Sequence, residues 1–206
     1  MQHKLIKKLV IDLVESIAAL YEEETIQNFD WQKISSPEEL KNFYSTLNYG
    51  VFDTETNSPY SDTNIEVLEK WHLLSPTQLV EYKTGICYDT SKMTDVVLTN
   101  LGIEHKNYFM HTNSASWKSD ASHTFNLYKD ENGGYWKWLE GSWGEFKNNN
   151  LESENIYDLL TKIVDCHKKH ANTDNVLLRE IISFPEPGIG IEEFYNRMLA
   201  NPAISI

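Results

Sequence analysis

The sequence predicts an α+β domain on three observations: helical periodicity at both ends of the 206-residue chain, aromatic-rich alternating segments confined to its middle, and turn formers between them. One domain is expected over residues 1–206. That length is enough to bury a sizeable core.

Ile6, Leu9, Val10, Leu13, Ile17 and Leu20 recur at helical spacing and predict an opening amphipathic helix. Lys4, Lys7 and Lys8 precede it in the manner of a secretory signal, but Asp12 and Glu15 interrupt the apolar core that a signal needs. Ser36-Pro37-Glu38-Glu39 combines a cap, a first-turn proline and an acid three residues after the serine, so a second helix starts there. Residues 48–64 are rich in turn formers and read as a long surface loop. Ser75-Pro76 starts a short helix that runs to about Tyr82. Next comes a Gly-x-Cys turn at Cys87, leading into an amphipathic helix closed by Gly102.

After Gly102 the pattern turns strand-like in IEHKNYFMHT, HTFNLYKD and GYWKWLE, with Glu131-Asn132-Gly133-Gly134 joining the last two as a hairpin. Residues 113–122 read as a polar loop. Helical periodicity returns from about Ser153 through His170, and a break at Phe184–Gly188 precedes a last short helix near Glu192–Ala200.

The composition is 40% hydrophobic, 12% aromatic and 24% charged, which excludes extensive disorder. A formal charge of −13 with one short basic cluster argues against a nucleic-acid partner. No run reaches the apolar length of a membrane span. The two cysteines, Cys87 and Cys166, make no disulfide framework, so a reducing cytoplasm is the expected setting. Cys166, His167 and His170 in CHKKH give two ligands on one helix face, which does not close a metal site, and neither metal nor cofactor is expected.

Cys87 at a helix start meets free N–H groups and a partial positive charge, which suit a thiol nucleophile. His123 opens one strand and Glu140 follows another, so the order is cysteine, imidazole, carboxylate. That order supports a catalytic triad. The bland readings are a small buried cysteine and a solvated strand-end carboxylate. His105 and His111 are read as sheet or surface residues. Trp136, Trp138 and Trp143 are shared between core and a substrate groove, and Trp117 is open to either.

The stretch from about Ser75 to Trp143 resembles the transglutaminase-like superfamily, relatives of the papain-type cysteine proteases. TGICYDTSKMTDVVLTNLGI looks like its nucleophile helix, SHTFNLYKDENGGYW like its histidine strand and hairpin, and WLEGSW stands where an aspartate, a small residue and an aromatic usually fall. Here Glu140 replaces that aspartate. The resemblance implies a papain-like core at about 75–146, with helical extensions at 1–47 and 153–200. It also implies acyl transfer or hydrolysis on a peptide or protein amide, with Cys87, His123 and Glu140 in catalysis. Gln78 and, equally placed, Tyr82 are candidates for the second oxyanion donor, and Tyr82, Trp117 and Trp143 for the groove. An arylamine-type N-acetyltransferase uses the same three residue types, but Lys83-Thr84-Gly85 stands where its Arg-Gly-Gly phrase belongs. A catalytically silent module that binds a partner through the aromatic groove is the reading from another class.

Overall fold

Ser36 and Pro37 begin helix α1, Pro37–Ser45, as their types require: the serine side chain accepts the Glu39 N–H and the proline takes the first turn. The computed structural model of the protein describes residues 29–112, 116–130 and 133–206. The helix expected over Ile6–Leu20 therefore lies outside the described residues. The chain divides after Lys33, and α1 opens the larger unit, Ile34–Ile206.

The expected surface loop at 48–64 is instead built of short strands: β1, Asn48–Tyr49; β2, Val51–Asp53; and β3, Ser58–Tyr60. The turn formers are there, but they make the reversal of a β2–β3 hairpin. Asp53 accepts the N–H groups of Glu55 and Thr56, and Asn57 adopts a positive φ of 53°. All three residues of β2 are buried. Helix α2, Ile65–Leu68, starts on Asn64. Helix α3, Pro76–Tyr82, carries a capping box between Ser75 and Gln78 and ends on Lys83 with φ 50°.

Strand β4, Thr84–Gly85, pairs parallel with β1 and leads directly into α4, Cys87–Asn100. This helix is more deeply buried than an amphipathic surface helix, with nine of its fourteen residues out of solvent. Three predicted strands come next in the chain as β5, His105–His111; β6, His123–Lys129; and β7, Trp136–Leu139. Helix α5 is Ile156–Ala171 and α6 is Ile191–Leu199.

The antiparallel sheet is larger than the sequence suggested. With β8, Glu152–Ser153, β9, Leu177–Ile181, and β10, Ala203–Ile204, it has six strands in the order β10-β9-β5-β6-β7-β8. Side chains alternate between its faces. Phe109 joins the core that contains Cys87, Trp71 and Phe194, whereas Tyr108 and Met110 pack with Leu159, Ile163 and Val164 of α5. The protein is thus α+β, with α4 on one sheet face and α5 on the other.

The contact between α4 and the sheet is polar, which fixes its register. Asn126 donates to the Ser91 carbonyl at 3.2 Å and to Asn107 at 2.6 Å, and Asn107 donates to Asp95 at 2.6 Å. Buried amides of this kind lose free energy when a partner slips away. A slide of α4 along β6 would break this row, so the row holds Cys87 and His123 in step.

Candidate active site

Cys87 is the first residue of α4 and 4% exposed. The glycine two residues before it is required by space: a Cβ on Gly85 would stand 2.5 Å from Leu79 Cδ1 and 3.2 Å from Asp89 Cβ. Asp89 locks this corner. Its carboxylate accepts the Trp71 indole N–H and the Leu74 and Ile86 N–H groups, each at 2.9 Å. Burial nevertheless dominates and pushes its pKa up to about 6.

His123 and Glu140 meet because β6 and β7 run antiparallel, which brings the first residue of one beside the end of the other. His123 Nε2 lies 2.8 Å from Glu140 Oε2, and both residues are buried. The other carboxylate oxygen, Oε1, accepts the Ser142 N–H at 2.8 Å, its hydroxyl at 3.0 Å and the Trp143 N–H at 2.8 Å. Gly141 permits this turn: a Cβ there would come within 2.7 Å of Thr90 Cβ and 3.0 Å of Tyr44 Cδ2.

Electrostatics depend on this geometry. Burial opposes charge on His123, but the Glu140 carboxylate and the Cys87 side chain outweigh it and raise the ring to about 10. Burial likewise opposes charge on Glu140, yet His123 and the two backbone donors hold it below the ordinary carboxylate range. With Nε2 committed to Glu140, Nδ1 is the nitrogen left to face the thiol. The Trp143 ring stands edge-on to the imidazole at 5.2 Å.

Cys87 and His123 open into a cavity of about 520 Å³. Trp117 and Trp143 are among its lining residues, joined by Tyr49, Tyr88, Lys147, His167 and His170. Gln78 and Tyr82 do not line it, which corrects both candidacies. The Gln78 amide oxygen accepts from Ser75 in the α3 cap, and Tyr82 stacks on Phe52 at 3.7 Å. Trp136 and Trp138 are core. His105 bonds Asp95, and His111 is buried next to Arg179 and Asp120, so neither faces the thiol.

His167 and His170 bear on the site from α5. Burial pushes His167 down to about 4, and its Nε2 lies 3.0 Å from the Ala121 carbonyl, to which it donates as the neutral ring. Among the described residues no three His, Cys, Asp or Glu side chains are grouped to hold a metal ion. No described helix is long and apolar enough to cross a membrane. Tyr49 carried no local signal in the sequence, because its place depends on the β1–β4 pairing; the two histidines were visible but only as failed metal ligands.

The family described as a transglutaminase-like domain matches residues 11–128, more than half of the chain. The protein belongs to that family. The match includes Cys87 and His123, while Glu140 lies beyond it. No curated protein matches the chain.

Proposed function

We propose that the protein is a thiol enzyme that takes an acyl group from a peptide or protein amide onto Cys87 and passes it to water or an amine. The observation that carries this reading is the buried His123–Glu140 pair at 2.8 Å, with His123 and Cys87 lining one cavity. Nothing in partner binding alone asks for a carboxylate with both oxygens spent on a ring nitrogen and a turn.

The chemistry is set by the positions. His123 Nδ1 holds the proton drawn from the thiol as an imidazolium, and the sulfur attacks the carbonyl carbon, so a C–S bond forms as the C=O pair moves onto oxygen. The Cys87 N–H, in the first turn of α4 where helix donors lack intrahelical partners, receives that oxyanion. Collapse breaks the C–N bond, and His123 returns its proton to the leaving amine. Glu140 holds the ring with Nε2–H toward itself and stabilises the imidazolium. The aromatic residues Trp117 and Trp143 on the cavity wall suit a side chain with an apolar stem.

The test is an acyl-enzyme burst. Protein mixed with p-nitrophenyl acetate, then with peptide amides, is expected to release one equivalent of leaving group and to gain the acyl mass on Cys87. A protein that forms no thioester with any donor would be a binding module instead.

A further inference from the structure

We propose that the Tyr49 hydroxyl is the second donor to the oxyanion, acting beside the Cys87 N–H. This rests on the thiol-enzyme reading and names a residue of the same site.

One backbone N–H is half of an oxyanion hole, since such sites stabilise the developing charge with two aimed donors. Most polar side chains on the cavity wall are already committed. Tyr88 bonds Ser122 at 2.6 Å, the Ser142 hydroxyl bonds Glu140 at 3.0 Å, Lys147 donates to the Tyr44 carbonyl at 3.1 Å, and His167 to Ala121. Tyr49 lines the same cavity, and its hydroxyl has no hydrogen-bond partner among the described residues. Thr63, Trp117 and His170 reach the cavity from segments that do not adjoin the nucleophile's own strand.

Register makes Tyr49 the fitting one. In the parallel β1–β4 pair it lies opposite Gly85, two residues ahead of Cys87, and the Gly50 N–H bonds the Gly85 carbonyl at 3.2 Å. The ladder therefore anchors Tyr49 to the strand that delivers the thiol. The residue lines the cavity and keeps 46% of its surface exposed. Burial, then the charges of Cys87, Glu140 and Asp89, hold that phenol well above its ordinary range, so it remains a donor at neutral and mildly alkaline pH. In the acylation step its O–H lends a hydrogen bond to the oxygen that gains the electron pair; no proton is transferred, and the bond is released when C=O re-forms.

Two reactions of Cys87 separate this role from general support of the thiol. Acylation by p-nitrophenyl acetate passes through a tetrahedral oxyanion, whereas alkylation by iodoacetamide displaces iodide at carbon and forms none. Tyr49→Phe is expected to slow acylation about 10²-fold or more and to leave the alkylation rate within about twofold. Unchanged acylation in the variant overturns the proposal. So does an equal fall in both rates, which would make Tyr49 a support of the thiol. A wild-type protein that alkylates at Cys87 but never acylates overturns the enzyme reading itself, and with it this role.

Discussion

The hydroxyls of Tyr88 and Ser122 lie 2.6 Å apart, which ties the residue after Cys87 to the residue before His123. Cys87 and His123 sit on different elements, a helix start and a strand start, and this bond bridges them. Tyr88→Phe and Ser122→Ala should each lower the acylation rate by about 10-fold, because small misplacements of reacting groups are costly. The double variant should be no slower than the worse single one, since both remove the same bond. Additive losses would show that the hydroxyls act separately.

The two cysteines should differ sharply toward iodoacetamide. Cys87 adjoins His123, which can take its proton, whereas burial raises the Cys166 thiol above its ordinary range. Limited labelling read by mass spectrometry should modify Cys87 first, and His123→Ala should remove that preference. Faster labelling of Cys166 in the folded protein would defeat the assignment of the nucleophile.

Glu140→Gln keeps an oxygen for the Ser142–Trp143 turn but presents an uncharged amide to Nε2. Turnover should fall by up to ~10⁴-fold through the wrong tautomer, with circular dichroism unchanged. Glu140→Asp should retain partial activity: a side chain one methylene shorter cannot reach both the ring and the turn as they now stand. Wild-type rates in Glu140→Gln would demote the carboxylate to a turn residue.

Asp89 predicts a pH dependence of stability opposite to that of a salt-bridged acid. Its folded pKa, about 6, lies above the ordinary 3.8, so the native state binds the extra proton between those values. The stability it contributes is present below pH 4 and lost as pH rises through 6, by roughly 3 kcal/mol at most from a shift of about two units. Urea unfolding at pH 4, 5 and 7 should show this fall as a difference between wild type and Asp89→Asn. Parallel pH curves would refute it.

Gly141→Ala tests the turn behind Glu140. The added methyl meets Thr90 and Tyr44 below ordinary contact distance, so unfolding should become easier by about 1–3 kcal/mol. Acylation should fall as well, because relief of the clash moves Glu140 away from His123. A variant of wild-type stability and rate would show that this corner yields freely.

What could be seen in the sequence was what short-range chemistry encodes. The Ser75 cap, the Gly85-x-Cys87 corner, the Gly102 stop and the β6–β7 hairpin each carry their signal within a few residues, and together they place Cys87, His123 and Glu140 in order. What stayed hidden depends on distant partners. Strand β9 reads as an unpatterned LLREI and acquires meaning only opposite β5, where Asn107 pairs with Ile181. Tyr49 sits among turn formers and gains its place from Gly85, 36 positions on. The converse holds for Gln78, whose side chain is taken up by a local helix cap and not by the cavity.

The place of β5 between β6 and β9 also bears on how the protein is made. As the chain leaves the ribosome, Cys87 and His123 emerge well before Leu177–Ile181. Until that segment arrives, β5 keeps one edge open while carrying Phe109 and Met110, and such an edge invites pairing with other chains. Residues 177–181 thus do more than complete the sheet: by covering that edge they shield the central strand from pairing with other chains.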